Sequence, residues 1–457
     1  MSDTPLPGVC RTVFQWTDKA AALTAAFGTH SALMVWRSGE LADVTPVGLA
    51  EGPVDGAGGA GFGTGAYSTG GYSQPSTADY FPRTWALAAW GENLLASPRG
   101  GRLYRWMNDT AVAAVEVDGA PQQISHMLVA PTDQVFALGC NEEASGVYNP
   151  LCIRHSGVRD LESWTTSPST TAREYILPGG GRIVAGRVIG PHLLIWTTHA
   201  LFLGQFVGSV SQPWKFERVA ANCGLIGPNA AVVAGQAAFW LGPDLQFRRY
   251  GLGGGVEILP CPIQDDMADN IAASQGDKVT ASTISAFNEV RFDYPDAREG
   301  TENSRYLAVS LQDGAWSRGR MDRTAFVDAG PSQHPIGVDA GGRVYWHERG
   351  KSADGAAFSW FIETADQYLD ENANLMTLGV WPDIADQEGG VSLTITSRQT
   401  PQGEARTFGP YPMAPGQSKV DFRASGRLFR LRFSGRTAPT AARIGKPVFK
   451  VVFAGER

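Results

Sequence analysis

From Thr84 onward the chain repeats one unit: an apolar strand, a tight polar or glycine turn, a second apolar strand, a turn, and a third strand. The unit recurs about every 45–55 residues. Its first copy reads Trp85-Ala86-Leu87-Ala88-Ala89-Trp90, Gly91-Glu92-Asn93, Leu94-Leu95-Ala96-Ser97, Arg99-Gly100-Gly101, Leu103-Tyr104-Arg105-Trp106. A second begins over 124–137, with Asp133-Gln134 as its turn. The third combines 183–189, Gly190-Pro191, 192–197 and 200–206. The fourth combines 230–233, Gly235-Gln236, 237–241 and 245–250. The fifth is 280–284, Phe287-Asn288-Glu289, 290–294 and 305–310, and the sixth is 335–338, 339–342 and 343–347. Apolar runs joined by such short turns pair as antiparallel neighbours. Four-stranded units at this period predict an all-β chain built as a β-propeller over 83–357. No WD dipeptide or Kelch glycine pair accompanies the period, so the prediction rests on periodicity.

The flanking stretches differ in texture. Residues 1–50 read as strands that contribute to closing the propeller, with a short helix over 20–26. Residues 51–82 are Gly/Tyr-rich, with Gly58-Gly59-Ala60-Gly61-Phe62-Gly63-Thr64-Gly65 punctuated by Tyr67, Tyr72, Tyr80 and Phe81. That composition predicts a long exposed loop packed on a neighbouring subunit. It lacks the last glycine of a GxGxxG loop and follows no clear strand, so no cofactor site is assigned to it. One helix is predicted over 264–275: Pro262 precedes it, Asp265, Asp266 and Asp269 suit its N-terminal dipole, and Met267 and Ile271 share a face. Beyond 358 the period shortens to two, as in Val391-Ser392-Leu393-Thr394-Ile395-Thr396-Ser397 and Leu428-Phe429-Arg430-Leu431-Arg432-Phe433. Residues 358–457 are therefore expected to form an antiparallel β-sandwich-like module, or a last blade with an attached sheet.

Charged residues make up 18% of the chain, below the roughly 25% of a typical soluble domain. Much of the surface is thus expected to lie against other subunits. The net charge of −7 lacks the basic footprint of a protein that grips nucleic acid, and suits a wall that DNA slides past. The cysteines, Cys10, Cys140, Cys152, Cys223 and Cys261, form no CxxC. Cys140 and Cys152 could pair, but reduced assembly in the cytoplasm fits the set better. Met1-Ser2-Asp3-Thr4-Pro5 has no signal-peptide character, and no apolar run of about 18 residues predicts a membrane span.

Candidate chemistry resolves into structure each time. Ser310-Leu311-Gln312-Asp313-Gly314-Ala315-Trp316 has the letters of a sialidase Asp box at the wrong spacing, and a type I′ turn at Asp313-Gly314 accounts for it. The acidic pairs Asp265-Asp266, Glu142-Glu143 and Asp293/Asp296 are the available glycosidase-type carboxylates. They lack a partner motif. Gly350-Lys351-Ser352 resembles the end of a phosphate-binding loop, but Tyr345 stands where that loop needs glycine. His30, His126, His155, His192, His199, His334 and His347 show no metal-ligand spacing. No catalytic, cofactor-binding or metal residue is assigned, no cofactor is expected, and the chain is expected not to be an enzyme.

The stretch Ala220-Ala221-Asn222-Cys223-Gly224-Leu225-Ile226-Gly227-Pro228-Asn229-Ala230 resembles the tail nozzle, or packaged-DNA stabilisation, proteins of short-tailed bacteriophages. The likeness continues through Phe239-Trp240-Leu241-Gly242, Ile258-Leu259-Pro260-Cys261, Phe287-Asn288-Glu289 with Tyr294-Pro295, Gly314-Ala315-Trp316-Ser317, and 339–350. The resemblance implies a six-bladed propeller, assembled as a hexameric ring around the DNA exit channel. Such a ring would retain and then conduct the genome. It would contact portal and adaptor proteins and tail fibres or a needle, with double-stranded DNA passing without sequence-specific contact. The expected location is the virion tail, after assembly in the host cytoplasm. The alternatives are a propeller-type glycan hydrolase or depolymerase, and a glycan-binding tail adhesin suggested by the aromatics of 62–81.

Overall fold

A computed structural model of the chain describes residues 4–56, 81–209, 211–368 and 373–456. Most of the Gly/Tyr-rich stretch expected to be an exposed loop, residues 57–80, lies outside them. The chain is all-β, in small antiparallel sheets, and divides into two compact units, Met1–Glu348 and Arg349–Arg457. No helix among the described residues is long and apolar enough to cross a membrane.

The first unit holds seven sheets among the described residues, each a simple up-and-down meander. They span residues 10–43, 85–116, 124–176, 183–221, 231–258, 280–320 and 325–346. The last has three strands and the others four. The second to seventh correspond to the six repeats read from the sequence. The additional one arises because residues 10–43 complete a sheet of their own.

Turn chemistry explains the meanders. Gly91, Gly190 and Gly235 each sit first in a two-residue turn, at φ +62, +55 and +60. Positive φ at the first position alone is the II′ pattern, whose twist matches that of paired strands.

The first strands are Cys10–Thr17, Trp85–Trp90, Ile124–Val129, Ile183–Ile189, Ala231–Ala234, Thr280–Ile284 and Ala325–Val327. Each lies against the first strand of the next sheet, and Ala325–Val327 lies against Cys10–Thr17. The sheets therefore succeed one another in a cycle of neighbours. Apolar layers fill most of the interfaces. Trp16, Val35, Trp85 and Leu94 join the first two sheets, and Val13, Phe27, Ile336 and Val338 join the seventh to the first. Burying side chains of this size contributes roughly 1.5–3 kcal/mol each. The indole N–H groups of Trp85, Trp106 and Trp240 donate to the carbonyls of Thr29, Asp109 and Cys223. This is how these large rings are buried without an unpaired donor.

Between the sixth and seventh sheets the layer is polar instead. Arg291 is buried beside Asp293 and lies 4.2 Å from the Phe326 ring centroid. Further hydrogen bonds tie the seventh sheet to the first. Gln15 Nε2 donates to the Asp328 carbonyl (2.6 Å), and the Leu6 N–H donates to the Gly342 carbonyl (2.8 Å).

Two local expectations are corrected. Residues 20–26 are not helical. Asp18 caps the Ala22 N–H, and Leu23–Thr29 is a strand paired on both sides. The helix expected over 264–275 runs only from Asp265 to Asn270, followed by a 3-10 turn over Ala273–Lys278. Ile271 breaks it by adopting an extended conformation and bridging to Asp296, while the Ala272 N–H donates to the Pro295 carbonyl. Strand pairing outcompetes helix propagation here.

In the second unit two sheets enclose one apolar cluster that includes Leu393, Ile395, Phe422, Phe429 and Leu431. One sheet has the order Trp360–Glu363, Leu428–Gly435, Val391–Arg398, Arg406–Met413. The other has the order Val420–Gly426, Ala373–Trp381, Val448–Glu456. Val391–Arg398 and Val420–Gly426 alternate strictly between buried and more exposed positions, the pattern of strands with one face on a core.

Candidate functional site

Where the first strands begin, charged groups from distant parts of the first unit converge. Lys278, fully buried, ends the 3-10 turn before the sixth sheet. Its ammonium donates to Asp55, to Glu302 (2.9 Å) and to the Thr301 carbonyl (2.8 Å). Glu302 also pairs with Arg11 of the first strand, and Arg11 donates to the Val54 carbonyl (2.9 Å). Gln275 exchanges two hydrogen bonds with the Gly56 backbone (2.9 and 3.0 Å). The segment 51–56 is thus tied to residues some 220 positions away in sequence. On the same side Arg187, partly buried, donates to the carbonyls of Pro228 and Ala231 and contacts His126 (3.2 Å). Burial pushes its guanidinium down to about 10.

The stretch 220–230 links the fourth sheet to the fifth. Asn222 takes a left-handed conformation at φ +54. The Cys223 carbonyl accepts from Trp240 (3.1 Å). A Cβ on Gly224 would fall 2.0 Å from the Thr198 carbonyl oxygen, and one on Gly227 would fall 2.8 Å from Gly276 and Asp277 backbone atoms. Asn229 Nδ2 donates to the Arg11 carbonyl in the first sheet (2.9 Å). At Gly224 and Gly227 backbone thus packs closely against backbone.

Beside this region two adjoining recesses open, of about 420 and 350 Å³. Both include Arg83, Arg99, Gly100 and Gln123. Arg102, Tyr104 and Asn141 line the larger, and Phe81, Tyr148 and Arg182 the smaller. Phe81 anchors two of the cations: the guanidinium carbons of Arg99 and Arg182 lie 3.9 and 4.3 Å from its ring centroid. No carboxylate lines either recess among the described residues. Charge and periodicity did not single out this cluster, because its arginines come from separate connections between strands.

Most of the carboxylates weighed from sequence are engaged in ion pairs or hydrogen bonds. Asp266 and Asp296 share Arg298 and Arg305, at 2.6–3.4 Å. Hydrogen bonds from Arg298 hold both carboxyls below the usual range. Asp293 is buried against Arg291, and burial raises its carboxyl. Glu142 accepts from Ser145 and Asn149, and Glu143 accepts from Thr166. Asp265 belongs to the same short helix as Asp266.

The turn after Ser310 is not the two-residue I′ turn expected. Only Gly314 has positive φ (+73), its N–H donates to the Ser310 carbonyl, and Asp313 accepts from the Ala315 N–H. Lys351 of the Gly350-Lys351-Ser352 segment pairs with Glu388. No group of three or more metal-ligating side chains occurs among the described residues. The Cys140 and Cys152 sulfurs are buried and unbonded, 3.8 Å apart.

Burial dominates the histidines. It pushes His126 and His347 down to about 3 and His155 down to about 4, helped at His126 by Arg187 and at His347 by Arg323. An unfolded chain protonates these rings near pH 6.5, whereas the folded one resists until far lower pH. Stability is therefore fully present above about pH 6.5 and is lost as pH falls toward 3–4. Each ring contributes a slope of about 1.4 kcal/mol per pH unit in that window. The raised carboxyls of Asp293, Glu289 and Glu348 act in the opposite sense near the ordinary carboxylate range. Thermal midpoints measured from pH 7 to 4.5 should fall, and His155→Gln should flatten the fall by about a third. An unchanged profile in that variant would remove the histidine account.

No known protein family matches the chain, and no curated protein matches it. Among solved structures, one similar chain is the computationally designed Ika8 protein. It is 12% identical, with a TM-score of 0.41, over 75% of this chain and 97% of that one.

Proposed function

We propose that residues 1–348 form a seven-bladed β-propeller and that the chain is a structural, non-enzymatic subunit of a short-tailed phage tail. Copies assemble as a hexameric nozzle ring around the DNA exit channel. The ring retains the packaged genome, conducts it on ejection, and anchors portal or adaptor proteins and fibres or a needle. The propeller reading is supported by the cycle of first strands and by the apolar layers between consecutive sheets. The centre of each subunit is crossed by Arg11, Asn229, Lys278 and Glu302, so the conduit lies between copies rather than through one.

The observation that carries the assembly role is the 222–229 connector. The residues by which the chain resembles nozzle proteins are those that lock the fourth and fifth sheets to the first sheet and the 3-10 turn. The engaged carboxylates weigh for a structural part over a hydrolase. Peptide mass spectrometry and immuno-electron microscopy of purified particles test the location. Label at the tail vertex, in stoichiometric amount, is expected. Absence of the chain from the particles contradicts the proposal.

A further inference from the structure

We propose that the larger recess, at Arg83, Arg99 and Arg102, binds a multiply charged phosphate group.

Three guanidiniums border a recess of about 420 Å³ whose described lining carries no carboxylate, in a chain of net charge −7. Two of the three are already engaged: Arg99 with Asp277 (2.8 Å) and Arg102 with Glu116. Each uses part of its fork of donors and leaves the rest available. Arg83 has no carboxylate partner among the described residues, and the one hydrogen bond its guanidinium makes among them goes to the Ala50 carbonyl (2.7 Å). It is also partly desolvated, and burial pushes its guanidinium below the ordinary value. A desolvated cation without a counter-charge is costly, and an incoming anion removes that cost.

The remaining wall is rich in donors: Gln123, Asn141 and the phenol of Tyr104. Planar guanidinium forks match phosphate oxygens in pairs. Three of them around one space fit a dianion or diphosphate better than a single carboxylate. Phe81 limits the freedom of Arg99, so less ordering is needed on binding. The source could be inorganic phosphate or a nucleic-acid backbone, which offer the same group. The site belongs to one subunit and does not depend on ring assembly.

Calorimetric titration of the full chain with pyrophosphate tests this, with acetate as the singly charged comparison. Pyrophosphate should bind and acetate should not. Arg83→Gln should weaken binding about tenfold or more, a loss of roughly 1.4 kcal/mol. Arg102→Gln, at a half-exposed pair, should weaken it less and serves if the first variant does not fold. Arg159→Gln, at a distant exposed pair, should leave it unchanged. Binding should also weaken with added salt. A short DNA duplex forms a second arm. Duplex binding lost in Arg83→Gln identifies the backbone as the source, and pyrophosphate binding alone identifies a small phosphate. No binding of pyrophosphate, equal binding of acetate, or unchanged binding in both arginine variants would overturn the proposal.

Discussion

Lys278→Ala is expected to cost about 3 kcal/mol, at the lower end of the range for removing one partner of a buried ion pair. The ammonium is fully enclosed and holds Asp55, Glu302 and the Thr301 carbonyl together. Asp55 is half exposed and can rehydrate, and Glu302 keeps Arg11, so the loss stays below the extreme. The pair also fastens segment 51–56 to the turn before the sixth sheet. The variant should therefore lose order in that segment before the sheets melt. Hydrogen exchange at Gly52 and residues 54–56 should accelerate while amides of the fourth sheet stay protected. The comparison is Arg159→Ala: its pair with Asp133 is solvent-exposed on both sides, and less than about 1 kcal/mol is expected. Equal effects in the two variants would mean that Lys278 has no special place.

The second large effect is at Gly224. Any Cβ there meets the Thr198 carbonyl group at 2.0–2.3 Å, and backbone cannot swing aside as a side-chain end can. Gly224→Ala must therefore part the 220–230 connector from the turn between the second and third strands of the fourth sheet. Overpacking of this kind costs typically about 1–3 kcal/mol, and more where relaxation is blocked. It also loosens neighbouring bonds, because the Cys223 and Leu225 N–H groups donate to the carbonyls of His199 and Thr197. A fall of several degrees in the thermal midpoint is expected. Gly251→Ala, where a Cβ meets open space, should change little by comparison. A neutral Gly224→Ala would mean that the connector is not packed as described.

The same connector separates what sequence discloses from what it hides. Strand-turn-strand periodicity was legible because Gly91, Gly190 and Gly235 write their turns locally. Alternation in Val391–Arg398 was legible for the same reason: two neighbours and one face decide it. The helix after Pro262 was overextended because Ile271 is claimed by Asp296, a partner no local pattern announces. The first sheet was not counted as a unit of its own because residues 10–43 stand apart from the repeats, beyond the stretch 51–82. The charged centre was invisible in sequence. Arg11, Asp55, Lys278 and Glu302 are isolated charges in a chain poor in them, and only closure of the cycle brings them together. The arginine recess was hidden for the same reason, since Arg83, Arg99 and Arg102 belong to two separate connections.

In the proposed assembly the first unit closes as seven consecutive sheets and copies of the chain form a ring. Cryo-electron microscopy of the purified chain tests both halves on one grid. The account predicts closed rings around an open lumen, with each copy resolving seven radial sheets and a filled centre. Particles that remain monomeric at every concentration, or subunits whose first and seventh sheets stand apart, would contradict it.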